Sequence, residues 1–306
     1  MATTDSAAIA AAVTFKVQAN VLATLRAELV FANAEWAEQG DFDQGTDTLL
    51  FTSFADLSAA TTPLTEGTAP TAVALVMSTV TLGTDQYGNV LGITDVAKVK
   101  SPQQIVSIGS EKLSRNALEL LDTISRDVIA AGGTPYYAGT GNAARADLAS
   151  TDIVTVDSLR RMAWQMFKSK IPRAADGYYR ILVSPDVAAD IAADADFIDA
   201  VKYTDRMPLL KNEIGAIAGF RVMSVVNAPT FASTTTVHAS IAFGSIKGWG
   251  AGELQSLSTY HVAPGGDHND PIAQSELLGW KVMFGVAVLN NGFYFRFESA
   301  ASDLTP

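Results

Sequence analysis

The sequence predicts an α+β protein in which long, contact-forming segments surround a smaller α/β region. Three observations support this fold class. Leu, Phe and β-branched residues fill two extended stretches between 47 and 95, and a period of 3.6 residues runs through 103–131. Helical and strand patterns then alternate between about 150 and 235, which indicates an α/β layer.

The charge composition narrows the class of function. The 306 residues include 32 acids and 21 bases, and the net charge is −11. A sequence-specific nucleic-acid binder normally shows a basic surface, so this class is not expected. The chain has no cysteine, which excludes disulfides and thiolate metal sites. No apolar run is long enough to span a membrane, and the first residues lack the basic region of a secretory signal. We therefore expect a soluble protein of intracellular origin, without metal or cofactor.

The N-terminal region carries much of the acidic excess, because residues 1–60 hold eight acids and two bases. Residues 7–37 are rich in alanine, with apolar residues at mixed spacing. We expect an arm that contains a helical stretch and continues into an irregular acidic link.

Residues 47–95 are expected to form a long β-hairpin. Its strands are DTLLFTSFADL (47–57) and TAVALVMSTVTL (71–82), and the turn residues of 58–70 form its tip. The second strand is expected to continue past QYGNV to Leu91 and Ile93. A two-stranded ribbon is only marginally stable alone, so the hairpin should rest on another surface.

The clearest helix spans 103–131. Ser101-Pro102 provides a cap residue and a first-turn proline, and Gly132-Gly133 ends the helix. Its apolar stripe consists of Leu113, Ala117, Leu120, Leu121, Ile124 and Val128.

The α/β region begins with a helix at about 157–169, followed by a strand at 180–184, an acidic helix from Pro185 to about 200, and a strand at 217–229. The first helix has a predicted buried stripe of Leu159, Met162, Ala163, Met166 and Phe167. Its basic outer face carries Arg160, Arg161, Lys168 and Lys170. The acidic helix carries Asp186, Asp190, Asp194, Asp196 and Asp199, and it complements this face within the chain or across a subunit boundary.

The C-terminal part returns to strands. The run Val282–Leu289 is apolar at nearly every position, which is typical of a central strand covered on both faces. Asn291-Gly292 predicts a turn before a further strand, FYFRF.

No catalytic motif has its required context. Residues 139–144 match G-x-G-x-x-A loosely, but a helix and YYA precede them, so a flexible loop is expected. Residues 41–47 begin like a calcium loop but place the glycine at the wrong position, which favours an acidic linker. The three histidines, His238, His261 and His268, are isolated in sequence. We expect a self-assembling shell subunit and not an enzyme.

Several segments, in this order and spacing, resemble HK97-fold major capsid proteins of tailed phages, and most closely the coliphage N4-type capsid family. They are ATTPLTEGTAP (60–70), QYG (86–88), LDTISRDV (121–128), YYAG (136–139), TVDSLRRM (155–162), ILVSPDVAADI (181–191), NEIGAIAGFRVMSV (212–225) and SELLGWKVMFGVAVLN (275–290). The resemblance spans roughly 55–298, and its specificity lies in the ordered set.

The resemblance implies four structural regions. These are an N-terminal arm (1–45), an extended loop (46–94), a peripheral domain (95–150 and 236–306) built on the spine helix 103–131, and an axial domain (151–235). It also implies pentamers and hexamers that tile an icosahedral head around double-stranded DNA, with the extended loop lying over the neighbouring subunit. Scaffold, portal and decoration proteins are the further partners expected. DNA contact should be non-specific, because an acidic wall repels phosphates.

Subunit contacts are expected at the hairpin and at the basic helix. The sequence leaves open which face of the hairpin contacts a neighbour, through Leu75, Met77 and Val80 or through their alternates. The candidate contact residues are Pro63, Leu64, Glu66, Leu75, Met77, Val80, Tyr87, Arg160 and Arg161. Two alternatives remain open: an encapsulin-like compartment of the same fold, and an α/β ligand-binding protein.

Overall fold

The computed structural model describes residues 30–302 except 32, 34, 42–45, 47, 56, 60, 65, 68, 101–103, 198–212, 267–269 and 271. These residues form helices and β-sheets, as the α+β class predicts. The helices are α1 (Asp95–Lys100), α2 (Ile105–Ala131), α3 (Val156–Lys168) and α4 (Pro185–Ala193). The strands are β1 (Glu38–Asp41), β2 (Thr48–Phe54), β3 (Met77–Gly83), β4 (Asp85–Thr94), β5 (Thr134–Tyr137), β6 (Tyr179–Val183), β7 (Glu213–Ile217), β8 (Phe220–Ser224), β9 (Thr230–Ala232), β10 (Thr236–Phe243), β11 (Trp249–Val262), β12 (Ser275–Val288) and β13 (Tyr294–Ser299).

A four-stranded sheet has the order β1-β11-β12-β4. The two 14-residue strands β11 and β12 are antiparallel and form its centre, and β1 joins β11 in parallel. The central position of β12 is therefore as predicted from its apolar run. The predicted full cover on both faces is wrong for Val282–Leu289, because Val282 and Phe284 are buried whereas Met283 and Val286 are only half-buried.

A seven-stranded mixed sheet has the order β5-β13-β10-β6-β8-β7, with β9 also paired to β10. The strands β6 and β8 are parallel, and α4 lies in the connection between them. Alternate residues of β6 face two separate cores: Ile181 packs with residues of α3 and α4, and Leu182 packs in the core that contains α2. The sheet thus has α2 on one face and α3 with α4 on the other.

The 27-residue helix α2 is about 40 Å long and confirms the predicted spine helix. Its buried face includes Leu113, Ala117 and Leu121 of the predicted stripe, whereas Leu120, Ile124 and Val128 are only half buried. The helix ends at Gly132-Gly133 as predicted. A Cβ on Gly132 would lie 2.4 Å from the Tyr294 hydroxyl oxygen, so a larger residue there would have to displace the Tyr294 side chain. The predicted cap, Ser101-Pro102, lies outside the described residues.

The strands β2 and β3 form the expected antiparallel hairpin. Its second strand is shorter than predicted at both ends. Residues 71–76 have no regular secondary structure, and β3 ends at Gly83. The stretch that reaches Leu91 and Ile93 is a separate strand, β4, which pairs with β12 because the chain crosses there into another sheet.

Other predictions require correction. Phe167 is 60% exposed and does not belong to the buried stripe of α3, which consists of Leu159, Met162, Ala163 and Met166 with Val156. The acidic helix ends earlier than expected, at Ala193. The strand predicted over 217–229 is only β8, and β7 precedes it through a tight turn at Ala218-Gly219, where both residues have positive φ.

Some predictions stay untested. Most of the helical stretch 7–37, most of the calcium-like loop 41–47, His268 and Asp199 lie outside the described residues. The four-region division also remains a prediction. The seven-stranded sheet combines β6–β9 of the proposed axial domain with β5, β10 and β13 of the proposed peripheral domain, so the two regions share one sheet.

Candidate assembly surface

The hairpin β2–β3 has two chemically different faces. Directly paired residues share a face, and Phe51 with Val80 turns toward the body of the chain. These two residues line a cavity of about 490 Å³ with Ile246, Leu289 and Phe293. The inner face of the hairpin therefore rests on the chain itself, as expected for a ribbon that is not stable alone.

The opposite face of the hairpin is exposed and carries three large apolar side chains. Leu50, Phe54 and Met77 are 61%, 59% and 56% exposed, and Phe54 pairs directly with Met77 across the hairpin. Between them on this face lie Thr52 and Thr79, which are also exposed. Large exposed apolar side chains grouped on one face in this way are typical of a contact surface.

The tip of the hairpin also carries exposed apolar side chains. Leu64 is 75% exposed and Leu75 is 60% exposed, and the predicted contact residues Pro63 and Glu66 are also exposed. Further exposed apolar residues at the tip are Leu57, Val73 and Val76. The outer-face residues Leu50, Phe54 and Met77, together with the exposed apolar residues of the tip, are called the hairpin surface below.

Two predicted contact residues face the chain itself. Val80 lines the cavity under the hairpin, and Tyr87 of β4 packs against the core around α2. Burial and the neighbouring Asp85 raise the pKa of Tyr87. Leu75 and Met77 are thus exposed and Val80 is half-buried, while their contact with a neighbouring subunit remains a prediction.

The basic helix face is present on α3. Arg160 and Arg161 are exposed, and both pair with Asp157 of the same helix. The hydrogen bond from Arg160 and the charge of Arg161 hold the pKa of Asp157 below its usual value. Trp164 is 65% exposed between these arginines and Phe167. The sequence pattern placed Phe167 in the buried stripe because apolar residues at helical spacing usually face the core of their own chain.

The remaining polar clusters hold the fold together. His261 Nε2 lies 2.5 Å from Glu276 Oε1, and Lys98 pairs with the other carboxylate oxygen. Burial and the positive charge of Lys98 lower the pKa of His261. His238 Nδ1 lies 2.9 Å from Ser184 Oγ, which caps the first turn of α4 by accepting a hydrogen bond from Val187 N.

The glycine-rich loop 139–144 does not have the form of a phosphate cradle. The strand β5 precedes it, but a single three-residue 3₁₀ turn at Arg145–Asp147 follows instead of an α-helix. Asn142 fixes the loop by donating hydrogen bonds to Ala138 O and Asp152 Oδ2.

Within the described chain, no group of three His, Asp or Glu residues is placed to hold a metal ion. None of the described helices combines the length and apolar character needed to cross a membrane.

The fold and its surfaces define a class of protein, a structural subunit whose exposed apolar segments are made for assembly. The model of the family described as "Phage capsid protein" matches residues 78–296, and the chain belongs to this family. It is therefore a structural component of the virion and not an enzyme. This assignment favours neither the encapsulin-like alternative nor the ligand-binding one. The narrower resemblance to the coliphage N4-type family remains a prediction.

Three solved phage capsid structures have a similar fold. The capsid of cyanophage Pam1 matches with a TM-score of 0.71 and 14% identity, over 89% of this chain and 91% of that one. The capsids of cyanophage P-SCSP1u and Ralstonia phage GP4 both match with a TM-score of 0.68, at 18% and 14% identity. Both matches cover 90% of this chain. They cover 90% of the P-SCSP1u capsid chain and 92% of the GP4 capsid chain. These matches confirm the HK97-like fold. A search of curated protein sequences finds no match.

Proposed function

We propose that this capsid protein is the main building block of an icosahedral head, in which pentamers and hexamers enclose double-stranded DNA. The observation that carries the proposal is the hairpin surface. Its apolar side chains project from a ribbon whose other face already rests on the chain, so a neighbouring subunit is the natural partner for them.

Burial of the hairpin surface supplies the driving force for assembly. At about 25 cal/mol per Å², roughly 1,000 Å² of buried apolar area would contribute about 25 kcal/mol before the entropic costs of association. Each subunit lays its hairpin over one neighbour and receives another, so the contacts multiply as the shell closes. The regions predicted above would then act as arm (1–45), extended loop (46–94), peripheral domain (95–150 and 236–306) and axial domain (151–235).

The other partners follow from the same role. The net charge of −11 disfavours tight binding of the genome, so packaged DNA contacts the shell without sequence specificity. A scaffold protein, a portal and decoration proteins are the further head components proposed. Subunits would reside in the host cytoplasm until they enter the virion.

Electron microscopy and mass measurement on the purified chain, alone and with coexpressed head proteins, test the proposal. Closed particles or rings with fivefold or sixfold symmetry are expected. The triple variant Leu50→Ser, Phe54→Ser and Met77→Ser should stay folded but lose particles, as should deletion of 60–72. The double variant Thr52→Ala and Thr79→Ala changes polar residues of the same face and serves as the matched control. Normal particles from both the triple variant and the deletion would contradict the proposed role of the hairpin surface.

A further inference from the structure

The outer face of α3 carries two exposed aromatic side chains side by side. Trp164 is 65% exposed and Phe167 is 60% exposed, and their rings meet edge to face with centroids 6.2 Å apart. The opposite side of the helix is fully buried through Leu159, Met162 and Met166. The helix is therefore anchored on one side and presents a second apolar surface to the outside.

This aromatic pair is surrounded by positive charge. Arg160 and Arg161 lie one turn before Trp164 and share a single carboxylate, Asp157, and Lys168 follows Phe167. The face thus keeps a net positive charge after its internal ion pairs are counted. Tryptophan and arginine are the residues most enriched where protein interfaces gain their binding energy.

A second surface, around α4, is acidic and therefore has the charge opposite to that of the α3 face. Asp190 accepts a hydrogen bond from Ser302 N, and Asp194 accepts one from Val156 N. The carboxylates of Asp186 and Asp196 have no hydrogen-bond or ion-pair partner in the described part of the chain. The residues that precede Asp196 in the chain include the exposed small side chains Ala192, Ala193 and Ala195. An aromatic ring can lie on such a surface without displacing a larger residue.

We propose that the α3 face of one subunit binds the acidic α4 surface of a second copy of this chain. Arg160 and Arg161 would face Asp186 and Asp196, while Trp164 and Phe167 cover the alanines. The positive and negative surfaces occupy different parts of one subunit, on the same side of the seven-stranded sheet. A contact between two different surfaces is head-to-tail, and its repetition gives a closed ring when the rotation between neighbouring subunits divides a full turn, as it does in a pentamer or hexamer. The inference rests on the proposed function, since it assigns a contact within the proposed pentamers and hexamers.

Tryptophan fluorescence offers a direct test. The chain has four tryptophans, and Trp36, Trp249 and Trp280 are already buried in the subunit at 7%, 1% and 3% exposure. A change in tryptophan fluorescence on assembly therefore reports mainly on Trp164. We expect a shift of emission to shorter wavelength and loss of acrylamide quenching when subunits enter particles. The conservative variant Trp164→Phe should assemble but show neither change.

Charge exchange tests the assigned partner. The double variant Arg160→Glu, Arg161→Glu should weaken assembly by at least about tenfold, and so should Asp186→Arg, Asp196→Arg. Particles should return when both double variants are combined in one chain, because the attraction is then restored with opposite sign.

The outcomes separate the two proposals. Particles in which Trp164 is quenched as strongly as in free subunits overturn this inference and leave the proposed function intact. If Trp164 is protected in particles of the unmodified chain but the combined charge variant forms no particles, α4 is not the partner of the α3 face. A chain that stays monomeric at every concentration, alone and with coexpressed head proteins, overturns the proposed function and this contact with it.

Discussion

Arg145 holds the buried carboxylate of Glu298 through two hydrogen bonds, from Nε at 2.6 Å and from Nη2 at 2.8 Å. Arg296 adds a third from its own Nε at 2.6 Å, and its Nη1 donates to the carbonyls of Ala130 and Gly132 at the end of α2. The Arg145 guanidinium also lies 3.6 Å from the ring centre of Phe231. One carboxylate thus ties together the end of the spine helix, the loop after β5 and the strand β13.

The substitution Glu298→Gln should destabilise the subunit severely. A neutral amide leaves two partly buried guanidinium groups without a counter-charge, and breaking a buried ion pair from one side costs about 3–5 kcal/mol. Denaturation by urea, followed by far-UV circular dichroism, measures the loss. The matched control is Glu111→Gln on α2, whose pair with Arg115 is about 60% exposed on both sides and should contribute less than about 1 kcal/mol. Equal losses in the two variants would refute the assignment of Glu298 as a tie point.

The same carboxylate should make stability depend on pH. Burial alone raises the pKa of Glu298, but the hydrogen bonds and charges of Arg145 and Arg296 outweigh it and hold the pKa below its usual value. A carboxyl whose pKa is lower in the folded state contributes stability above its unfolded pKa and loses it as the pH falls through its folded pKa. The gap in Tm between the unmodified chain and Glu298→Gln should therefore be constant from about pH 7 to 5 and narrow below about pH 4.5. A gap that widens on acidification would reverse the sign of this argument.

The parts of the fold that sequence reasoning predicted correctly are those determined by local pattern. The helix α2 has both a periodic stripe and a glycine stop, and the hairpin has two apolar stretches around a turn-rich tip. The strand β1 was missed because its sequence, EQGD, has no strand pattern. It forms because β11 offers a free edge, where Gly40 lies opposite Gly252. The break between β3 and β4 was missed for a related reason, since the change of partner strand leaves no mark in the local sequence.

The candidate surface was only partly predictable. Exposed residues of the hairpin tip, such as Leu64 and Leu75, could be selected because a long ribbon cannot cover itself. The exposed face of the hairpin could not be predicted, because it depends on how Phe51 and Val80 pack near Ile246 and Leu289. The period of α3 even placed Phe167 in the core. In a subunit that assembles, apolar residues at helical spacing can face either the core of the subunit or a contact with a neighbour. The sequence alone does not distinguish these two cases.

Asp122 should anchor the N-terminal segment to the spine helix. Its buried carboxylate accepts hydrogen bonds from Val30 N at 3.0 Å, Phe31 N at 2.8 Å and Asn227 Nδ2 at 3.0 Å. The substitution Asp122→Ala leaves three donors without their partner and should cost on the order of 3 kcal/mol. Hydrogen exchange at the Phe31 amide should also accelerate.

The control for this anchor is Asp127→Ala on the same helix. The Asp127 side chain is 62% exposed and bonds only its neighbour Arg126 among the described contacts. The substitution Asp127→Ala should change neither the free energy of unfolding nor the hydrogen exchange at Phe31 appreciably, since exposed ion pairs contribute little. Unchanged exchange at Phe31 in Asp122→Ala would show that other contacts hold the segment.

The close approach of Gly285 to Gly83 should set the direction in which the hairpin leaves the body. A Cβ at Gly285 of β12 would lie 2.2 Å from the carbonyl oxygen of Gly83, where the chain passes from β3 toward β4. The obstacle is backbone, so the substitution Gly285→Ala must displace the base of the hairpin, at a cost of about 1–3 kcal/mol. Gly83→Ala is the matched control, because a Cβ there meets nothing within 4 Å and its φ is not positive. We expect Gly285→Ala to fold with a lowered Tm and to give far fewer particles by electron microscopy, because a displaced hairpin surface misses its neighbour. Comparable particle yields from the two variants would mean that the hairpin tolerates this displacement, and that its direction is set by contacts between subunits instead of by the crossing at Gly285.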